Sequence, residues 1–152
     1  MATVRTRKSE FAVATETIGF LVWSAARSYS RHFAARIARH GITLGVWPVL
    51  RALAETPGLT QRDLSLQTGM KGPTIVDLVV QLEEKKLVRR VRNTEDRRKA
   101  SLFLTERGQS VFAAALPDIA AVHKLAVAGM SRRDQDLLRT LLQRVHTNIR
   151  GA

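Results

Sequence analysis

One change of hydrophobic period, near Leu87, limits what this chain can fold into more than any other feature. Ahead of it, two short runs space their apolar residues by three and four, as one helical face requires. The first opens at Thr60, with Asp63 three residues on, which resembles a capping box with Asp in place of the usual Glu, and carries Leu64 and Leu66. Gly69 falls where a tight interhelical turn needs positive φ. Pro73 sits just inside the second start, and Ile75, Leu78, Val79 and Leu82 share one side of that helix, which runs to about Lys86. Two helices of such lengths joined at a glycine match a helix-turn-helix. Behind Leu87 the runs become β-type: Leu87, Val88 and Val91, then Leu102, Phe103 and Leu104, with the charged segment Arg92 to Lys99 between them. That is a hairpin with a long tip, a wing.

The flanks are helical. Residues 1 to 10 form a basic, flexible arm. A helix from about Thr15 to His40 carries Ile18, Val22, Ala25, Tyr29, Phe33 and Ile37 on one face, and Gly41 stands at its C-cap. Thr43 is expected to cap a second helix with Val46, Trp47, Leu50 and Leu53, which stops near Pro57-Gly58. Thr105 caps a helix from about Glu106 to Ala128, and Pro117 is expected to kink or divide it. Gly129 ends it, and Ser131 with Asp134 starts a last helix bearing Leu137, Leu138, Leu141, Leu142, Val145 and Ile149. In a chain of 152 residues that broad apolar face needs a cover, either a second copy related by two-fold symmetry or the chain's own first helix.

Composition narrows the partners. The formal charge is +12, which points to nucleic acid or an anionic membrane and is silent on fold. No window reaches about 18 uninterrupted apolar residues, and no signal peptide is read at the start, so the expected location is the cytoplasm, with no membrane partner. There are no cysteines, which excludes disulfides, thiolate metal sites and thiol-based sensing.

The charge is concentrated. Lys85, Lys86, Arg89, Arg90, Arg92, Arg97, Arg98 and Lys99 are opposed locally only by Glu95 and Asp96. A ribbon tip of one sign attracts phosphate, and binding through it should weaken steeply with salt. Arg98 on a narrow tip can enter a minor groove while Asp96 holds its guanidinium in one orientation. The same pair also reads as an ordinary local ion pair. The Pro73 helix is the recognition element, with Lys71 and Thr74 placed for phosphate or base contacts. Asp77 repels phosphate unless it accepts from a cytosine amino group.

These residues resemble the MarR family of bacterial regulators. The resemblance runs from about Tyr29 to Gly108. It rests on Trp47-x-x-Leu50-x-x-Leu53, Leu59-Thr60-x-x-x-Leu64, Leu82-Glu83-x-Lys85-x-Leu87-Val88, Asp96-Arg97-Arg98 and Leu104-Thr105-x-x-Gly108. It implies a mainly α fold with a small β-hairpin wing, a winged helix-turn-helix domain over 43–105 flanked by dimerisation helices over 11–41 and 106–152, all one regulator domain. It implies a homodimer on a pseudo-palindromic operator in double-stranded DNA, with half-sites about 34–36 Å apart. It implies a repressor released by a small aromatic or other anionic effector held between the dimerising helices and the winged domain. Asp96 and Arg98 would be its wing pair, and Arg89, Arg92, Arg97 and Lys99 further DNA contacts. Two departures stand out: Lys86 occupies a position usually held by Gly, and Asp77 one that is often basic.

For the effector, Arg27 and Arg31 lie one turn apart on the first helix, and with Trp23 and Trp47 they would form a pocket for an aromatic carboxylate or its thioester. A solvated basic edge beside buried tryptophans is the plain alternative. His32, His40, His123 and His146 show no metal-ligand spacing. No catalytic motif and no cofactor motif is present. Two other functions fit the same charge: a nonspecific DNA-coating protein without an effector, and a winged-helix protein-interaction module.

Overall fold

The computed structural model describes residues 17–92 and 100–151. The basic arm and the wing-tip residues Asp96, Arg97, Arg98 and Lys99 lie outside the described residues.

Helix α1 spans Ile18–Ile37, with the Thr17 hydroxyl accepting from the Phe20 amide. A 3-10 turn, Ala38–His40, follows, and Gly41 closes it at φ 72°. Helix α2 is Trp47–Glu55. The expected Thr43 cap is not made: α2 begins four residues later, with Pro48 in its first turn, and Thr43 contributes only its backbone carbonyl to Val46 and Trp47. Proline lacks the amide that a cap would satisfy and pre-sets φ for a helix start, so the start follows Pro48.

Helices α3, Gln61–Thr68, and α4, Gly72–Glu84, form the helix-turn-helix. The Thr60–Asp63 capping box closes in both directions, and Gly69 takes φ 70° at the turn. Lys86 follows α4 at φ 58°, so a side-chain-bearing residue occupies the left-handed position without reshaping the exit. The exit is held by the Lys86 amide on Glu83 O at 2.9 Å and the Leu87 amide on Leu82 O at 2.9 Å.

Strands β1, Val88–Arg92, and β2, Ala100–Leu104, pair antiparallel with Val88 opposite Leu104 and Arg92 opposite Ala100. Leu59 adds a single bridge to Leu102, so the ribbon's root is clamped to the start of the helix-turn-helix. Helix α5, Glu106–Ala126, is capped by Thr105, whose hydroxyl also donates to Lys86 O at 2.7 Å. Gly108 lies against the Leu87 carbonyl, where an added Cβ would come within 2.0 Å of the oxygen. Pro117 does not divide α5, which runs through it as one helix. Asp118, the next residue, is tied to Arg36 of α1 and to Arg39 and His40 of the 3-10 turn.

Helix α6, Arg132–Arg150, starts at a Ser131–Asp134 capping box. The core is one cluster drawn from Phe33 and Ile37, the linker Ile42 and Val46, helices α2 to α4, both strands, and Ala115, Ile119 and Val122 of α5. Helix α6 gives it nothing: none of its residues is buried.

Candidate functional site

Two surfaces answer to the sequence reading. The first is the outward face of α4. Ile75, Leu78, Val79 and Leu82 are buried, so the helix's period turns Thr74, Val76, Asp77 and Val80 outward, and all four are exposed. Lys71, exposed, is the N-cap residue and makes no side-chain cap, leaving its ammonium free of that duty. The α4 sequence holds neither Lys nor Arg. The C-terminal end of α4 is fastened on both sides: Lys85 Nζ donates to Gly41 O at 2.9 Å, and Arg90 donates twice to Glu83, at 3.3 and 3.0 Å.

On the ribbon, alternation separates the arginines. Arg90 turns toward α4, whereas the Arg89 guanidinium lies 4.9 Å over the Phe103 ring. Arg89 and Phe103 line a cleft of about 360 Å³ with Leu53, Pro57 and Phe112. Arg92 is exposed at the last described position of β1.

The second surface is a cavity of about 950 Å³ between the outer helices and the back of the winged domain. Tyr29 and Phe33 of α1 form one wall, Phe112, Leu116, Ile119 and His123 of α5 another, and Trp47, Pro48, Arg51 and Met70 the winged side. Trp47 stacks on Phe112 with ring centroids 5.0 Å apart and planes 9° from parallel, and meets Phe33 edge-on. Tyr29 Oη and His123 Nδ1 are hydrogen-bonded at 2.7 Å, with their rings nearly parallel. Partial burial raises the Tyr29 phenol above its ordinary pKa. Arg51 and Glu55, one helical turn apart, pair at 2.9 Å and both line the cavity.

Of the four residues expected at a ligand pocket, Trp47 lines this cavity. Trp23, Arg27 and Arg31 lie elsewhere on α1, exposed, with the Arg27 guanidinium 5.3 Å over the Trp23 ring. The rest of the basic edge of the first helix is committed to structure. Asp118 accepts from Arg39 at 2.7 Å, bonds His40 Nε2 at 2.8 Å and meets Arg36 at 3.5 Å. The His40 bond is the main reason the Asp118 carboxyl sits below its usual range, with Arg39 and Arg36 adding to it. The Tyr29–His123 pair, the Arg51–Glu55 pair and Phe112 escaped the sequence reading. Positions 94 residues apart carry no mark of meeting, and the i, i+4 Arg51–Glu55 spacing was the one available signal. Among the described residues no group of His, Asp or Glu converges as a metal site would need, and no helix is long and apolar enough to cross a membrane.

A capped helix-turn-helix followed by a two-stranded ribbon, with helices on either side, defines a winged helix-turn-helix protein. A model of the MarR family matches residues 40–99. A Pseudomonas aeruginosa protein described as a probable transcriptional regulator is 30% identical, with 87% of this chain and 98% of that one covered and a TM-score of 0.79. The chain belongs to the MarR family, a family of transcription regulators and not of enzymes. It is also similar to the repressor CouR bound to a 23-mer DNA duplex, at 26% identity over 88% of this chain and 94% of that one, with a TM-score of 0.80. CouR from Rhodococcus jostii RHA1 is also solved bound to p-coumaroyl-CoA, at 26% identity, 86% and 92% coverage and a TM-score of 0.77. Among curated relatives, the homoprotocatechuate degradative operon repressor of Escherichia coli is 29% identical over 78% of each chain. The regulator TtmR of Methylorubrum extorquens is 32% identical over 60% of this chain, which spans only 47% of that relative's length.

Proposed function

We propose that the chain is a homodimeric repressor that binds a pseudo-palindromic operator in double-stranded DNA and releases it when a small aromatic carboxylate, or its thioester, enters the large cavity. The observation that carries this reading is where the cavity lies. Its walls come from both outer helices and from the winged domain, so a ligand filling it changes the distance between them. Its volume of about 950 Å³ is at the upper end of the roughly 300–1,000 Å³ typical of ligand sites. Trp47 and Phe112 supply flat walls, Arg51 a guanidinium able to exchange Glu55 for a ligand anion, and Tyr29 with His123 a polar end. The binding of an aromatic thioester by CouR supports the chemistry.

In this reading 43–105 is the DNA-binding unit, 11–41 and 106–152 are the dimerising layers, and 1–10 is a basic arm. Lys71 and Thr74 meet phosphate or base edges at the α4 N-terminus and Asp77 faces the major groove. Arg89, Arg92, Arg97 and Lys99 serve the DNA backbone. Arg98 enters the minor groove, oriented by Asp96. A second copy covers Leu137, Leu138, Leu141 and Leu142, which α6 leaves exposed.

The test is selection of bound duplexes from a random library by the full chain, followed by titration in rising salt. A preferred sequence at least about a thousandfold tighter than random duplex is expected. Comparable affinity for all duplexes would mean a DNA-coating protein, and no binding at low salt an interaction module. p-Coumaroyl-CoA and free aromatic acids are then added to the complex. Dissociation by at least one is expected, and indifference to all would remove the effector from the reading.

A further inference from the structure

We propose that α4 reads thymine by its 5-methyl group, through Val76 and Val80, with Asp77 between them accepting from the amino group of a neighbouring cytosine. The inference rests on operator binding as set out above and adds which bases are read and by what contact.

The helix offers the groove no cation: besides Thr74 and Gln81, its exposed face is apolar and acidic. A major-groove helix reads guanine best with Arg or Lys on O6 and N7. Helix α4 contains neither, and the cations at its two ends are Lys71, at the cap, and Lys85, which is bonded to Gly41 O. Arg90 comes near only to be held by Glu83. At the centre of the outward face stand Val76 and Val80, each 43% exposed, and Asp77. They are four residues apart, so their side chains lie one above the other, about 6 Å apart along the axis. Two base steps rise about 6.8 Å along the duplex axis. The spacing of the two valines therefore suits thymine methyls about two steps apart. Valine has a single strongly preferred rotamer in a helix, so packing a methyl against it costs little side-chain entropy. An ionised carboxylate only accepts hydrogen bonds, so Asp77 is repelled by the acceptor edges of guanine and thymine and suits the cytosine N4 amine.

The probe is the duplex selected by the full chain, resynthesised with deoxyuridine in place of each half-site thymine in turn. That change removes one methyl and leaves every hydrogen-bonding group in place. At two thymine positions the affinity should fall by about fourfold each, the worth of one buried methyl. In Val76→Ala the penalty at one position should disappear, and in Val80→Ala the penalty at the other. Both residues are exposed, so unchanged thermal melts of the variants show that the fold is intact. Library selection with Asp77→Asn should replace a cytosine by adenine, since an amide pairs with adenine N6 and N7. If uracil is tolerated within twofold at every thymine, the methyl reading is overturned while the regulator survives, its thymines then acting through duplex shape. If no duplex is enriched at all, operator binding itself falls first.

Discussion

Leu50 in α2 has no exposed surface, whereas Leu141 in α6, the same residue type on an equally amphipathic helix, keeps 46% of its own. The winged domain closes a core within a single chain: α2 to α4 and both strands pack with Phe33 and Ile37 of α1 and with Ala115, Ile119 and Val122 of α5. Helix α6 does not join it. Leu138 and Leu142 face α1 and α5 across an open groove of about 720 Å³, also lined by Leu21, Val22 and Val122. The difference shows where folding free energy is internal to the chain and where it waits on association. The winged part is closed within one chain, while α6 keeps its leucines exposed for the second copy proposed above.

The sharpest way to break that contrast is at Gly108, where the α5 start touches the ribbon. Gly108→Ala puts a Cβ 2.0 Å from the Leu87 carbonyl oxygen, so the backbone must part. A loss of about 4 kcal/mol or more is expected by urea unfolding, at the extreme of single substitutions. A cost below about 1 kcal/mol would mean the winged core is looser than described. Next comes the leucine pair itself. Leu50→Ala should cost about 2–5 kcal/mol at any protein concentration. Leu141→Lys with Leu142→Lys should leave the winged domain folded by circular dichroism and weaken the dimer at least a hundredfold in sedimentation equilibrium. Equal unfolding by both changes would erase the distinction.

The caps refine it. Thr60→Ala and Ser131→Ala remove the same kind of box, and each should cost its own helix about 1 kcal/mol. In amide hydrogen exchange, the first loss should spread through the winged core and the second should stay within α6. Smallest is the acid response of Asp118. Its folded pKa is depressed, so its bonds to His40, Arg39 and Arg36 stabilise the native state above the ordinary carboxylate value, about 3.9, and are lost as pH falls through the lower folded one. Asp118→Asn should flatten the stability profile in that window below about pH 4. A stability profile unaltered by the change would remove Asp118 as a clamp.

Most of the scaffold was legible because its signals are local. Caps at Thr60, Thr105 and Ser131, glycines at 41 and 69, and the period change at Leu87 each act within one turn of chain. Both misreadings fall at prolines, one carried inside a helix and one setting a helix start. Pro117 does not break α5, with Asp118 anchored to residues about 80 positions earlier, and Thr43 yields the helix start to Pro48. The candidate site divides the same way. The exposed face of α4 follows from periodicity alone, but the cavity joins α1, α2 and α5, and only Trp47 of the expected four residues reaches it. Arg27 has the right chemistry for an anion, yet its nearest aromatic partner is Trp23 on the same helix, which no composition or spacing distinguishes from a pocket wall.

The chain has two tryptophans, and the fold puts them in opposite circumstances. One indole is sandwiched against Phe112 at the mouth of the winged domain, and the other sits on the outside of α1 beneath an arginine. Their emission is therefore an intrinsic optical gauge needing no added dye. With Trp23 replaced by Phe, a single tryptophan remains, at the cavity wall, and guest occupancy becomes directly visible as quenching or a wavelength shift, in the presence or absence of DNA.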